Sequence, residues 1–443
     1  MRTCISVGIV AMTRNDTSNN PDVPTYNWNN PDIILSSFFW SYAALQFFAG
    51  HLAQVFGTKW FLLATMFVNS LCSILIPLFA DQFGANGVMF CRILQGLFQG
   101  FMLPLINNML GRWVPPSEAS LLSSMVFSGA YVGIIGSMII TGYFSASPLG
   151  WPYAFYFFGA LGLIWCVFWL IFSAESPASH RTISNEEKKY IQHSLGQQSD
   201  HLLDTKTVPW RAIITSLPYW AIIVAAIGES WSNTLINSEL PNYLSNGVGL
   251  NIQDSSIFSA VPLAVALVVS LLCGPIAGYT INKGIMSKVN SRRLFHAIAS
   301  FVSAIGLVAL SYIEDKTLVA LILIITVGSG STTVSSHLVN GIDIAPRYAG
   351  VLAGISNGCG QLVAILAPVL VHFVVTDKTD KQLWRIMFIV ASIIIAATGT
   401  FFIVFCSGER QWWDDGKQNK KKSDAEPPAY GVTNKAFETE VTA

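Results

Sequence analysis

Residues 152–173 read PYAFYFFGALGLIWCVFWLIFS, a continuous apolar run without one Lys, Arg, Asp or Glu. A helix needs about 20 mostly apolar residues to cross a hydrocarbon core roughly 30 Å thick. The strands of a membrane barrel would instead appear as alternating runs of about ten residues. This stretch therefore predicts a transmembrane α-helix.

Similar runs recur along the whole chain. They lie at about 33–55, 59–80, 87–111, 119–145, 152–173, 216–245, 255–282, 293–313, 317–341, 348–376 and 384–407. Several contain Gly or Pro, which membrane helices tolerate. The pattern predicts an all-α integral membrane protein with eleven complete spans.

The composition agrees with lipid as the solvent. Only 11% of the 443 residues are charged and 52% are hydrophobic, whereas a soluble domain carries roughly 25% charged residues. So much apolar surface also excludes a disordered chain. The 25 basic and 25 acidic residues cancel, which leaves no electrostatic footprint for nucleic acid.

The first thirteen residues, MRTCISVGIVAMT, are apolar but only about half as long as a membrane span. A signal peptide is one interpretation, because a single Arg precedes the apolar core. A convincing small-residue cleavage site does not follow, however. We therefore favour a first helix that is truncated at its N-terminus, in a design of twelve helices.

The basic residues predict the orientation. If the odd-to-even connections face outside, five basic residues lie outside, eighteen lie inside and two lie within helices. This positive-inside bias places both termini in the cytosol, and we expect the plasma membrane. The segment 14–31 is then external, and it contains the glycosylation sequon Asn15-Asp16-Thr17.

All seven cysteines fall within apolar runs, so we expect neither disulfides nor a zinc site. No set of nucleophile and base converges in the spans either. The sequence therefore predicts a protein that is not an enzyme and needs no cofactor beyond a coupling ion.

The chain divides into two similar halves. We predict an N-terminal six-helix bundle at 1–173, a central cytosolic loop at 174–215, a C-terminal six-helix bundle at 216–407 and a disordered cytosolic tail at 408–443. Glycine-containing joins recur about half a chain apart. A duplicated bundle suits a transporter whose halves rock about a central site.

Several motifs carry a resemblance to a known family. They are SFFWSY at 37–42, RILQG at 92–96, RWVPPSE at 112–118, ESP at 175–177, NGIDIAPRYAG at 340–350 and GISNG at 354–358. Together they resemble the major facilitator superfamily and, within it, the family of sodium–phosphate cotransporters, sialin and vesicular glutamate transporters. The similarity is greatest to the branch of invertebrate inorganic phosphate cotransporters. It implies the major facilitator fold, with two six-helix bundles.

The resemblance implies residues that bind substrate. Arg2 falls on the first-helix arginine that binds the substrate carboxylate in the glutamate branch, a role that suits the bidentate guanidinium group. Arg92, a charged residue within a span, is the second arginine of the predicted set. Tyr42, Asn340 and Asn357 lie in the matching motifs and complete the predicted set. Alternatively, Arg2 binds nothing, Arg92 extends to the outer headgroups and Tyr42 is an ordinary packing residue.

Two acidic residues are candidates for the coupling ion. Glu229 stands where the glutamate branch has a second substrate arginine, and in one interpretation it pairs with Arg2 or Arg92 and carries a coupling cation or proton. Glu239 precedes a proline that frees carbonyls for sodium. Each has an alternative as a solvated residue. Gln99 replaces an acid that the family uses for proton coupling, which weakens that route.

The predicted gate lies at the cytosolic side. We expect Asp343 and Arg347 to form an ion pair there that breaks on opening. Gln54 and Gly278 replace the acids of the superfamily's gate motif, so a gate that uses those positions should be weak.

The polar tail has two recognition features. Its basic cluster at 420–422 can lie against anionic lipid. Pro427-Pro428-Ala429-Tyr430 resembles a ligand of WW domains, and we expect it to recruit a ubiquitin ligase. We expect a monomer.

The sequence thus predicts sodium-coupled symport of inorganic phosphate by alternating access. Three alternatives remain at this stage. They are proton-coupled transport of an organic anion as in sialin, an uncoupled anion or chloride pathway, and a membrane scaffold that does not transport.

Overall fold

The computed structural model describes residues 3–13, 20, 22–28, 31–195, 208–236, 243, 252–313, 315–377 and 380–414. Seventeen α-helices lie in this part of the chain. They are α1 (Cys4–Thr13), α2 (Pro31–Phe56), α3 (Thr58–Gln99), α4 (Met102–Trp113), α5 (Ala119–Ala146), α6 (Trp151–Phe172), α7 (Asn185–Ser194), α8 (Trp210–Ile214), α9 (Leu217–Thr234), α10 (Ile252–Asn282), α11 (Lys288–Ala297), α12 (Ser303–Leu310), α13 (Lys316–Gly330), α14 (His337–Ile344), α15 (Ala349–Ala364), α16 (Leu366–Val374) and α17 (Lys381–Phe405).

The all-α membrane architecture is confirmed. Nine segments within the described ranges are long and apolar enough to cross a bilayer. One of them, Thr58–Trp113, has 56 residues and bends at Gly84, whose φ of 60° is readily adopted only by glycine. This segment therefore accounts for two predicted spans, 59–80 and 87–111. The predicted span 216–245 begins with α9, and most of its remainder lies outside the described residues.

Short polar residues begin several of the helices. Ser287, Asp315 and Asp380 each accept a backbone N–H of the first turn, at α11, α13 and α17 respectively. The start of α3 is capped from far away in the sequence, because Glu175 accepts the N–H groups of Thr58 and Lys59 at 2.9 and 2.8 Å. A carboxylate there also complements the helix dipole.

Each half of the chain has its own apolar core. In the N-terminal half, Trp151 and Phe155 of α6 pack with residues of α1, α2 and α3. The short helix α1 is part of this core, and Thr141 of α5 donates a hydrogen bond to the Cys4 sulfur at 3.2 Å. In the C-terminal half, Trp384 packs in a second apolar cluster, whose residues belong mostly to α9, α12, α13, α16 and α17.

The two halves meet closely at one end of the bundle. We call this the linker end, because residues 173–217, which join the halves, leave the bundle there. Gly50 of α2 lies so close to α15 that an added Cβ would be 2.3 Å from the Val351 Cα. A Cβ added to Gly111 of α4 would likewise lie 2.3 Å from the Pro346 carbonyl oxygen. The linker end is therefore closed in this structure.

The start of the predicted disordered tail is packed instead. Trp413 is buried against Tyr348, with ring centroids 6.0 Å apart. The Gln411 N–H donates to the Ile344 carbonyl at 2.8 Å, and the Arg347 N–H donates to Asp414 Oδ1 at 3.1 Å. Trp413 supplies the apolar area that holds residues 408–414 against the end of α14, whereas Trp412 is exposed. The rest of the tail lies outside the described residues.

Candidate anion pathway and gate

Arg92 lies deep in the N-terminal half, in the second part of α3. Its side chain is buried, with 2% of the residue exposed. The guanidinium carbon is 4.4 Å from the centre of the Phe38 ring, and Nη1 donates to Gln95 Oε1 at 3.2 Å. A cation–π contact and a hydrogen bond to an amide thus hold the group in place. The predicted alternative, extension to the outer headgroups, does not describe this buried arrangement.

A row of amides continues from Arg92 along the same helix. Gln95 Nε2 donates to the Asn69 carbonyl at 3.3 Å, and Gln99 Nε2 donates to Asn69 Oδ1 at 2.7 Å. Gln99 thus makes the hydrogen bonds of a neutral residue, at the position where the resemblance implies an acid. These amides can form hydrogen bonds with a ligand, but they cannot take up or release a proton near neutral pH.

Tyr42 connects Arg92 to the other half of the protein. Its ring stacks on Phe38 with centroids 5.6 Å apart, and its hydroxyl accepts a hydrogen bond from Asn357 Nδ2 at 3.4 Å. Asn357 lies on α15. The structure therefore brings three predicted site residues, Arg92, Tyr42 and Asn357, into one chain of contacts that crosses the interface between the halves.

Asn340 lies elsewhere. It is buried on α14, and its Nδ2 donates to the Ser407 carbonyl at 2.8 Å. The amide thus fastens α14 to the end of α17, and this contact sets Asn340 among the residues of the linker end.

Glu229 of α9 contacts His337, the first residue of α14. Glu229 Oε2 is 2.8 Å from His337 Nε2, and Glu229 Oε1 accepts a hydrogen bond from Thr333 Oγ1 at 3.0 Å. Its predicted pairing was with Arg2 or Arg92, whereas the partner seen here belongs to the C-terminal half. Thr333 and His337 are more than 100 residues away in sequence. The one available signal was the run GSGSTTVSS at 328–336, whose small polar residues interrupt the helix.

Asp343, which the sequence predicts to be a gate residue, pairs with Arg292 and not with Arg347 as predicted. Arg292 of α11 donates from Nε to Asp343 Oδ2 at 2.7 Å and from Nη2 to Oδ1 at 3.3 Å. Lys288 Nζ is 3.7 Å from Asp343 Oδ1. Arg347 follows α14 and reaches Asp414 through its backbone N–H. The bidentate geometry favours Arg292, because its planar guanidinium matches both carboxylate oxygens.

Arg292 also joins the two halves. Its Nη1 donates to Ser120 Oγ on α5 at 3.0 Å and to the Ser335 carbonyl at 2.9 Å. Arg292 and Asp343 are both almost fully buried, with side chains 1% and 2% exposed. The hydrogen bond to Ser120 is therefore a polar contact that must break if the linker end opens.

Other predicted positions add less or lie outside the described residues. An added Cβ on Gly278 would meet nothing within 4 Å, so this residue makes no close approach. The side chain of Gln54 is not among those described, nor are Arg2, Asn15, Glu239, Pro427, Pro428 and Tyr430. Their roles stay predictions. Within the described ranges, no three His, Cys, Asp or Glu side chains are grouped to hold a metal ion, and all seven cysteines are free thiols.

Known proteins share both sequence and architecture with this chain. The model of the major facilitator superfamily matches residues 3–368. A Drosophila melanogaster protein named "Putative inorganic phosphate cotransporter" is 33% identical, over 95% of this chain and 84% of that protein. Vesicular glutamate transporter 2 of Bos taurus is also 33% identical, over 95% of this chain and 74% of that protein. The solved proton:xylose symporter XylE has a TM-score of 0.68 at 15% identity, covering 92% of this chain and 93% of that one.

The matched sequence spans both bundles and includes the Arg92, Tyr42 and Asn357 contacts as well as the closed linker end. The chain is therefore a multi-pass membrane transporter that belongs to the major facilitator superfamily and, within it, to the family of inorganic phosphate cotransporters and vesicular glutamate transporters.

Proposed function

We propose that the chain is a secondary active anion transporter that carries inorganic phosphate together with sodium by alternating access. The observation that carries this proposal is the buried Arg92, linked through Phe38 and Tyr42 to Asn357 of the other half. A guanidinium at membrane depth is costly and is generally retained for a substrate or an ion pathway. An anion bound there would lie close to residues of both bundles, so its affinity would depend on how the two bundles are placed relative to each other.

The closed linker end fits one conformation of an alternating-access cycle. Backbone contacts at Gly50 and Gly111 and the Arg292–Ser120 hydrogen bond close the side that the basic residues predict to be cytosolic. In this conformation substrate would enter from the opposite side. Rocking of one bundle against the other would break these contacts and expose the site to the cytosol.

The choice of ions rests on relatives and motifs. One relative is named as a phosphate cotransporter and another as a glutamate transporter. We place inorganic phosphate first, because Arg92 offers charge and bidentate geometry for an oxyanion. Sodium coupling follows from the resemblance, and Glu239 beside Pro241 is our candidate for that site.

Uptake of radiolabelled phosphate by the purified protein in liposomes tests this proposal. We expect saturable uptake that is lost when choline replaces external sodium. Arg92→Gln should lower anion affinity about tenfold or more, since a hydrogen bond to a charged group contributes about 1.5–3 kcal/mol. Arg92→Lys should retain part of it.

Arg385→Gln is the matched control. The Arg385 guanidinium lies 4.4 Å from the Tyr312 ring, the same stacking distance as that of Arg92 on Phe38. It belongs to the last helix and not to the proposed site, so its substitution should leave affinity unchanged. Equal losses in the two variants, or phosphate uptake that does not need sodium, would contradict the proposal.

A second candidate is proton-coupled transport of an organic anion. The contact that favours it is Glu229 with His337, a pair of titratable groups at membrane depth. In this case uptake would follow a proton gradient without sodium, and a carboxylate such as a sugar acid would compete with phosphate. Stepping external pH in sodium-free medium distinguishes the two candidates.

The remaining assignments are proposals that accompany this function. We place the protein in the plasma membrane as a monomer with both termini in the cytosol and a glycan at Asn15. We also propose that the motif ending in Tyr430 recruits a WW-domain ubiquitin ligase. Loss of WW-domain binding in Tyr430→Ala would support that partner, and unchanged binding would exclude it.

A further inference from the structure

We propose that Glu229 and His337 form a proton-binding site that controls the gate at the linker end. The inference rests on the proposed function only in treating that end as a gate. It requires neither a particular anion nor a particular driving ion.

The first step is the pair itself. His337 is 2% exposed, and its Nε2 lies 2.8 Å from Glu229 Oε2, a distance typical of an ion pair when the imidazole is protonated. The carboxylate is held in place by Thr333, which donates to its other oxygen. A proton on the imidazole gives opposite charges in a low-dielectric setting, where attraction is strong. Without that proton, a carboxylate faces a neutral ring.

The second step is the segment between the pair and the gate. Residues Ser331–Ser335 form a 3-10 helix, and Ser336 has non-helical backbone angles of φ −117° and ψ −115°. This break separates α13 from α14. Thr333 and His337 attach it to Glu229 of α9, so the position of the segment depends on the Glu229 contact.

The third step is the attachment of the same segment to the gate arginine. Arg292 donates from Nη1 to the Ser335 carbonyl at 2.9 Å, and Ser336 Oγ donates to the Arg292 carbonyl at 2.9 Å. Three consecutive residues, Ser335, Ser336 and His337, therefore connect the Glu229 pair with Arg292. Arg292 in turn binds Asp343 and Ser120.

Other titratable groups face the pair from the helices packed around it. His296 of α11 places its ring perpendicular to that of His337, with centroids 5.4 Å apart, and Tyr131 of α5 lies within electrostatic reach of Glu229. The aromatic residue from α17 is Phe402, which does not titrate. His296 is the competing candidate for any response in the range where histidines gain and lose protons.

The mechanism has a definite sign. With His337 protonated, the ion pair holds the 331–337 segment against α9, Arg292 is correctly placed and the linker end stays closed. Loss of the proton weakens that hold, loosens the two Arg292 contacts and favours opening. A rise in pH should therefore open the linker end.

Spin labels at Ser117 and Asn282 test the inference. Both residues are exposed, they belong to different halves, and Asn282 Nδ2 donates to the Ser117 carbonyl at 3.0 Å. Both residues would be replaced by cysteine and labelled, and pulsed electron–electron double resonance on the full chain in lipid nanodiscs would measure the distance between the labels across the linker end. Six native cysteines are buried, and a parent sample without the two added cysteines controls for labelling of the native ones.

We expect the population with the longer distance to increase when the pH is raised from about 5.5 to about 8.5. The increase should be about fivefold or more, equivalent to about 1 kcal/mol, the upper value for exposed ion pairs and hence a low one for this buried pair. Glu229→Gln and His337→Gln should each abolish the pH dependence. His296→Gln should keep it, as should His193→Gln on exposed α7.

Two outcomes would overturn the inference. One is a pH response that persists in both Glu229→Gln and His337→Gln, and the other is a response that only His296→Gln removes. Thr333→Val, which keeps both titrating groups, should retain the response with a shifted midpoint and provides a second variant if a charge substitution prevents folding. Phosphate uptake is scored separately. A gate response without uptake would leave this inference standing while contradicting the proposed function.

Discussion

Replacing Ser120 with Ala should open the linker end, because Ser120 provides a hydrogen bond between the halves that exists only in the closed conformation. The Ser120 hydroxyl on α5 accepts from Arg292 Nη1 at 3.0 Å. Arg292 and its carboxylate partner Asp343 are both in the C-terminal half and can stay paired when the bundles separate. Removing the hydroxyl therefore acts on the gate equilibrium, whereas removing Asp343 would destabilise both conformations.

The expected magnitude follows from the charge on Arg292. A hydrogen bond to a charged group contributes about 1.5–3 kcal/mol. Nη1 keeps the Ser335 carbonyl as a second acceptor, so we take the lower value. About 1.4 kcal/mol corresponds to a factor of ten in an equilibrium constant, and Ser120→Ala should therefore favour the open linker end about tenfold.

The distance between spin labels at positions 117 and 282 measures this equilibrium. Ser123→Ala is a matched control on the same helix, because the Ser123 hydroxyl is fully buried and has no hydrogen-bond partner among the described residues. Its loss should leave the distance distribution unchanged. If Ser120→Ala stayed within about twofold of the parent, or if Ser123→Ala shifted the distribution equally, the role of the Arg292–Ser120 contact would be refuted.

Other contacts can be tested in the same way. Gly50→Ala should prevent closure, because the new carbon would meet backbone atoms of Val351 that cannot move aside. Overpacking of this kind costs about 1–3 kcal/mol or more. The control is Gly133→Ala, whose new carbon would meet nothing within 4 Å; it should leave the distances at the linker end unchanged. Trp413→Ala should release residues 408–414 from α14 and lower the melting temperature of the purified protein, and an unchanged melting temperature would argue against this packing. Burial raises the pKa of the Asp414 carboxyl above its ordinary value, and the nearby Arg410 opposes this rise. Docking of residues 408–414 should therefore be most stable at low pH and should weaken as the pH rises through the raised pKa. Hydrogen-exchange protection factors of the Gln411 amide, corrected for intrinsic exchange, should fall with pH in the parent and should not depend on pH in Asp414→Asn.

The fold could be predicted from the sequence because the lipid bilayer requires an apolar composition of every segment that crosses it. Each span must be apolar over about 20 residues, so spans such as 152–173 appear directly in the letters. Bends are harder to locate. The sequence places a join near Gly84, but only the structure shows α3 continuing through it with a single residue of positive φ.

The site was only partly predictable, for a different physical reason. Arg92 and Tyr42 stand out because a charge and an amphipathic ring inside a span need a role, and the motifs supply one. Glu229 also stands out, but its partner does not. The contact with His337 depends on how α9 packs against a broken helix 100 residues away, and no local pattern encodes that distance. The same limit applies to Arg292, which sequence counts only as one of eighteen interior basic residues.

The replacement of acids at Gln54 and Gly278 suggested a weak gate, and the packing of the linker end explains how closure is achieved without them. Gly50 and Gly111 let backbones of opposite halves approach within van der Waals contact, a means of helix association that needs no charge in lipid. The charged contribution is concentrated at Arg292, whose carboxylate partner is in its own half. Opening at this contact therefore leaves the Arg292–Asp343 ion pair intact and breaks the charged hydrogen bond to Ser120. A change in the position of Arg292, through residues 335–337, acts directly on that hydrogen bond and so shifts the gate.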